Sequence, residues 1–123
     1  MENPLVLFVD DDKALLRILA EGLKDHQMDV MTTDNPADAL EKLKSVTPDI
    51  IIADLRMEPM NGFEFFQHVK KVSRLSTVPF FFLTAVEDPL AKKYGTSLGA
   101  DGYFCKPIDL QLLVDAIHKS LKK

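Results

Sequence analysis

Cysteine is almost missing from this chain of 123 residues, and Cys105 is the only one. A lone thiol excludes an internal disulfide framework and any multi-cysteine zinc site, and it suits a reducing compartment. Long apolar runs are missing too. The longest stretch without a charge is the twelve residues from Leu75 to Val86, and it contains Ser76, Thr77, Pro79 and Thr84. That is too short and too polar to span a bilayer. No basic segment precedes the first apolar run, where Glu2 stands instead, so nothing reads as a secretory signal. Positive charge is not in excess: 15 Lys and Arg against 19 Asp and Glu leave a net charge of −4. A net-acidic domain is a poor candidate for direct contact with nucleic acid or an anionic membrane surface. Low-complexity segments, Ser/Gly linkers and internal repeats are absent. A cytoplasmic domain is the expectation.

The length fits one domain over residues 1–123. Hydrophobic residues make up 46% and charged residues 28%, a balance that excludes intrinsic disorder and supports a packed core without disulfide or structural metal. Five short apolar runs punctuate the chain: Leu5–Val9, Val30–Thr33, Ile50–Ala53, Phe80–Leu83 and Tyr103–Cys105. Four are nearly continuous in apolar residues, the pattern of parallel strands buried on both faces. The second is more polar and suits an edge strand.

Helical spacing fills the intervals. Leu15, Ile18, Leu19 and Leu23 share a face. Asn35-Pro36 reads as N-cap and first helical position, ahead of Ala37, Leu40 and Leu43. Phe65, Phe66 and Val69 follow Asn61-Gly62. Asp88-Pro89 repeats the cap-then-proline signal. Asp109 precedes Leu110, Leu113, Val114 and Ile117, and that helix ends in Lys119, Lys122 and Lys123, which favour the negative end of its dipole. The fourth helix has a thin apolar face (Leu90, Tyr94, Leu98) and an internal Gly95 that costs about 1 kcal/mol against alanine. Five β-α units imply an α/β fold, a doubly wound parallel sheet with helices on both faces. Ligands in such sheets bind beyond the carboxyl ends of the strands.

Those strand ends carry the reactive side chains. The first ends in Asp10, Asp11 and Asp12, the third in Asp54, the fourth in Thr84, and the fifth in Lys106 followed by Pro107. Gathered carboxylates repel unless something positive sits among them. Oxygen-only ligands point to Mg²⁺ or Mn²⁺ rather than zinc. A hard cation, a lysine and a hydroxyl are the parts needed to hold a phosphoryl group, and a carboxylate can itself be the nucleophile that forms an acyl phosphate.

With these residues the sequence resembles the receiver domains of two-component response regulators. The motifs are Val9-Asp10-Asp11, Ile52-Ala53-Asp54-Leu55-Arg56-Met57 running on to Met60-Asn61-Gly62, Leu83-Thr84-Ala85, and Lys106-Pro107. The resemblance covers essentially the whole chain. It implies a flavodoxin-like (βα)5 domain with strand order 2-1-3-4-5. It implies Asp54 as the phosphoryl acceptor, taking its phosphate from a sensor histidine kinase or a phosphotransfer protein. Asp11 would be a direct Mg²⁺ ligand, Asp10 would act through water or hydrogen bonds, and Asp54 and the Arg56 backbone carbonyl would complete the protein's share. Thr84 would bind a phosphoryl oxygen, Lys106 would pair with Asp54 or its phosphate, and Lys106-Pro107 would be a cis peptide. Tyr103 matches the switch aromatic that turns inward as Thr84 moves. The switched face would be that of the fourth helix, fifth strand and fifth helix. Its partner would be an output protein, an attached effector domain missing from this sequence, or a second copy in a homodimer. The domain would be no enzyme beyond catalysing its own phosphoryl transfer and dephosphorylation.

One departure stands out: Glu58 replaces the family's usual proline, with Pro59 next. The loop keeps its length, so acceptor geometry is expected to survive. Plainer roles are weighed beside these. Asp12 reads as an N-cap, Tyr103 could equally be core packing, and Cys105 reads as buried and inert. His26, His68 and His118 have no ligand spacing. Two rivals remain. A receiver that never takes phosphate would serve as an interaction module, but it would be expected to lack Asp54, Thr84 or Lys106. A phosphohydrolase resembling the haloacid dehalogenases needs an acid two positions after its nucleophile, where this chain has Arg56.

Overall fold

The computed structural model describes residues 3–122. Strands and helices alternate as β1 (Leu5–Val9), α1 (Lys13–Asp25), β2 (Asp29–Thr33), α2 (Pro36–Lys42), β3 (Ile50–Ala53), α3 (Gly62–Lys70), β4 (Phe80–Thr84), α4 (Pro89–Leu98), β5 (Gly102–Cys105) and α5 (Leu110–Leu121). A single 3-10 turn at Ser73–Leu75 stands between α3 and β4. All neighbouring strands are parallel, in the order β2-β1-β3-β4-β5. This is the doubly wound order that the motifs imply.

Alternation along each strand divides the core in two. Val6 and Phe8, Ile50 and Ile52, and Phe81 and Leu83 face α1 and α5, where Leu16, Leu19, Leu23, Leu113, Val114 and Ile117 close over them. Leu7 and Val9, Ile51 and Ala53, and Phe80 and Phe82 face the other layer, closed by Ala39, Phe65, Phe66 and Val69. β1, β3 and β4 are central strands covered on both sides, which explains why their sequences do not alternate with polar residues. Phe80 packs edge-on against Phe66 with ring centroids 4.9 Å apart.

Helix starts follow local chemistry. Asp12 Oδ1 accepts from Leu15 N–H at 3.1 Å and caps α1. Asn35 caps α2 ahead of Pro36, and Asp88 caps α4 ahead of Pro89. Asn61 and Glu64 form a reciprocal capping box on α3. Asp109 occupies the N-cap position of α5 without a side-chain capping bond. α4 ends at Gly99, whose φ of 108° lies in the left-handed region that glycine tolerates. Gly95 is the one buried residue of α4, resting against the Phe82 and Phe63 rings.

Two expectations are corrected. The apolar run at Tyr103–Cys105 is not buried on both faces, because β5 is the second edge of the sheet with β4 as its sole strand neighbour. Tyr103 and Phe104 are half-buried. Cys105, expected to be buried, is exposed. Apolar composition marks these residues as strand-forming but does not record how many neighbours the strand has. No helix among the described residues is long and apolar enough to cross a membrane.

Candidate functional site

Strand register brings the reactive residues together. Val9 pairs with Ala53, so Asp10 and Asp54 leave adjacent strands side by side, and Asp54 N–H donates to the Val9 carbonyl at 3.1 Å. Asp10 is fully buried. Its N–H donates to the Thr33 carbonyl at 3.1 Å, and its Oδ1 accepts from Asp12 N–H at 2.9 Å. Asp10 Oδ2 lies 2.7 Å from Lys106 Nζ but has no aligned hydrogen-bond donor among the described residues.

Asp54 is 6% exposed. Its Oδ1 accepts from the Leu55 N–H at 2.6 Å and the Arg56 N–H at 3.3 Å. Its Oδ2 accepts from Lys106 Nζ at 3.0 Å. A single ammonium thus bridges two carboxylates. Lys106 is placed by its own backbone, whose N–H donates to the Thr84 carbonyl at 2.8 Å. The Lys106–Pro107 peptide is cis, and so is Glu58–Pro59.

Thr84 is fully buried at the end of β4, and its Oγ1 accepts from Val86 N–H at 3.2 Å. The Tyr103 hydroxyl donates to the Val86 carbonyl at 2.7 Å. Tyr103 therefore holds the loop that follows Thr84, while its ring lies 6.3 Å from that of Phe82. The Arg56 side chain is exposed, as is Glu58.

Electrostatics follow from the geometry. Burial pushes the Asp10 carboxyl above the ordinary aspartate range, against the pull of Lys106 and the Asp12 amide. Burial alone would lower the Lys106 pKa, but its close contacts with the Asp10 and Asp54 carboxylates outweigh that and raise it above the ordinary lysine value. Burial, and then the nearby Cys105, Asp88 and Asp54, raise the Tyr103 hydroxyl.

The residues present fit a hard divalent cation. Asp10, Asp11 and Asp54 each offer a carboxylate oxygen, and these oxygens lie within 4.8 Å of one another. Asp11 is exposed, which leaves a side open to water and ligand. The unaligned, buried Asp10 Oδ2 is a second sign that the carboxylates are not saturated by the protein alone. An all-oxygen donor set favours Mg²⁺ or Mn²⁺. Asp12 stands apart from this cluster, spent on capping α1.

The sequence matches the response regulator receiver domain family over residues 6–118. The chain belongs to that family. Transcriptional regulatory protein YvrH of Bacillus subtilis is 32% identical over 124 residues, covering 100% of this chain and 51% of that protein. Protein RcaC of Microchaete diplosiphon is 32% identical over 118 residues, covering 96% of this chain and 18% of that protein. The chain spans about half or less of the length of such curated relatives. Among solved structures, the chemotaxis response regulator CheY4 of Vibrio cholerae superimposes with a TM-score of 0.90 at 31% identity, covering 97% of this chain and 99% of that one. The signal receiver domain of a histidine kinase from Syntrophus aciditrophicus gives 0.88 at 26% identity, covering 97% of this chain and 90% of that one.

Sequence reasoning named Asp10, Asp11, Asp54 and Lys106, whose charged groups lie together in the fold. It missed the main-chain groups that aim them: the Thr33 and Val86 carbonyls and the Leu55 and Arg56 amides. Backbone groups carry no residue signature, so nothing in the sequence could have singled them out.

Proposed function

We propose that this receiver domain accepts a phosphoryl group on Asp54 from a phosphohistidine of a sensor histidine kinase or phosphotransfer protein, with Mg²⁺, and that the modified state switches the α4-β5-α5 surface. The observation that carries this reading is Lys106 bridging Asp54 and Asp10 at the rim of the sheet, 3.0 and 2.7 Å from their oxygens.

In the transfer, an Asp54 carboxylate oxygen bonds to phosphorus as the phosphorus–nitrogen bond of the phosphohistidine breaks. The bonding pair returns to the imidazole. The phosphoryl group arrives with oxygen charge that must be neutralised. Lys106 supplies one positive charge, kept at neutral pH by its raised pKa. Thr84 Oγ1 already accepts from Val86 N–H, which leaves its own proton for a phosphoryl oxygen. Asp10, Asp11 and Asp54, with the Arg56 carbonyl, would hold the Mg²⁺. That ion, when bound, offsets charge on the phosphoryl oxygens.

Recruitment of the Thr84 hydroxyl would pull on the loop that Tyr103 holds through Val86, and this links the acceptor to β5 and α4. The phosphoryl group shifts an existing equilibrium by favouring one of its states. Hydrolysis reverses it: a water oxygen bonds to phosphorus, the acyl oxygen–phosphorus bond breaks, and phosphate leaves. No external substrate is turned over. The output is a partner protein, an attached domain or a second copy meeting the α4-β5-α5 face, whose helices expose Leu90, Tyr94 and Leu112.

The test is incubation with Mg²⁺ and acetyl phosphate, read by intact mass. Wild type is expected to gain one phosphoryl group, and Asp54→Asn none. Equal labelling of both proteins, or none of wild type, overturns the reading.

A further inference from the structure

Gly62 belongs to a motif that the acceptor chemistry leaves without a role. It is buried at the first position of α3, and its N–H donates to the Leu55 carbonyl at 2.8 Å. A Cβ built on it would overlap the Asp54 carbonyl oxygen, and would lie 2.8 Å from Leu55 Cα and 3.0 Å from the Asp54 carbonyl carbon. Real Cβ atoms do not approach main chain so closely. Its φ is not positive, so the demand is for space and not for an unusual backbone angle.

The other glycines differ. The nearest atoms to a Cβ at Gly22 would belong to the Leu110 side chain, and those to one at Gly95 to the Phe82 and Phe63 rings. Side-chain ends can rotate aside, whereas a peptide inside the core can move only with its strand.

The peptide beneath Gly62 is the one that aims the acceptor. Its N–H, on Leu55, holds Asp54 Oδ1 at 2.6 Å. The next N–H, on Arg56, reaches the same oxygen at 3.3 Å. The first turn of α3 is stiffened by its own Asn61–Glu64 capping box, with both bonds at 2.9 Å, and is tied to the strand end by the Gly62 N–H on the Leu55 carbonyl. Any atom added at position 62 would therefore displace either this anchored helix start or the Asp54–Leu55 peptide.

We propose that Gly62 is a positioning residue of the phosphoryl-accepting site: lacking a side chain, it lets the first turn of α3 rest on the Asp54–Leu55 peptide and so fixes the amides that orient the Asp54 carboxylate. This rests on the acceptor role given to Asp54 above. Misplacement of a reacting group by a fraction of an ångström weakens a reaction that depends on alignment.

The experiment compares Gly62→Ala with Gly22→Ala, a packing change on α1 against the Leu110 side chain, at a temperature where circular dichroism shows both folded. Labelling by acetyl phosphate at saturating Mg²⁺ is expected to slow roughly tenfold or more in Gly62→Ala and to stay near wild type in Gly22→Ala. The Leu55 and Arg56 amide resonances are expected to move in Gly62→Ala and not in Gly22→Ala, a signature that mere loss of stability does not produce. A folded Gly62→Ala that labels at the wild-type rate, or leaves those two resonances in place, overturns the proposal while the acceptor reading stands. Wild type that takes no label overturns the acceptor reading, and the amide resonances still judge the positioning. If Gly62→Ala does not fold, amide exchange in wild type decides. Matching protection at Gly62 and Leu55 supports the contact, and fast exchange at Gly62 beside a protected Leu55 overturns it.

Discussion

Asp10 sits in conflict with its surroundings. Burial holds its folded-state pKa above the unfolded value. Between those two values the native state binds more protons than the unfolded chain, so stability falls as pH rises through that window. Above it the full penalty persists. Asp10→Asn is therefore expected to stabilise the protein at pH 7 by about 1 kcal/mol and to flatten the pH dependence on the acid side, as read by urea denaturation at a series of pH values. Lys106 behaves oppositely. Its folded-state pKa is raised, so its contribution is complete at neutral pH and is lost only as pH climbs through that raised value. Asp11 separates ligation from packing, because it is exposed. Mg²⁺ at a hundred times its dissociation constant is expected to stabilise wild type by about 2.7 kcal/mol. Asp11→Asn is expected to lose most of that response while keeping wild-type stability without the ion, in melts with and without MgCl₂. Arg56 stands two residues after Asp54, with its N–H on Asp54 Oδ1 and its side chain exposed; we propose that this side chain limits the access of water to a phosphoryl group on Asp54. Arg56→Ala is expected to shorten the phosphorylated state several-fold, measured as loss of label after rapid removal of donor.

Helices α3 and α4 lie next to each other in the same layer and are built to different standards. α3 has a capping box and buries Phe65, Phe66 and Val69. α4 buries only Gly95 and leaves Leu90 74% exposed. Ala91 and Leu98 are only partly buried against the core, and Tyr94 stands edge-on to Phe63 of α3 with centroids 4.8 Å apart, Phe63 in turn edge-on to Phe82 at 5.3 Å. An aromatic edge contact adds about 0.5–1.5 kcal/mol beyond the area it covers, far less than three buried apolar side chains contribute. Local opening of α4 is thus expected at a lower free energy than that of α3. Native-state hydrogen exchange should show α4 amides exchanging about tenfold faster than α3 amides or more. Equal protection of the two helices would remove α4 as the low-stability element. Asn61→Ala, which opens the capping box, is expected to cost about 1 kcal/mol by chemical denaturation.

Across the molecule, the sheet places every charged site residue at one rim because all strands run the same way, and this was legible from sequence. Continuous apolar runs marked β1, β3 and β4 as doubly covered, and cap residues marked the helix starts. The misreadings fall at the edge. Tyr103–Cys105 reads as core because composition records what a strand is made of and not which strands flank it. Contacts between distant segments were equally silent. Arg74 donates to the Leu43 and Val46 carbonyls and the Thr47 hydroxyl, stapling the turn before β4 to the end of α2. Lys70 reaches the Ser76 and Val78 carbonyls at 3.2 and 2.6 Å. Neither side chain belongs to a motif or a periodic face that would mark it in the sequence. The edge also brings an unplanned convenience. The chain's one thiol, that of Cys105, is at the surface of β5, 3.8 Å from the same Val86 carbonyl that Tyr103 grips. A maleimide dye would attach there and nowhere else, so the natural protein carries its own reporter position beside the loop whose movement is in question.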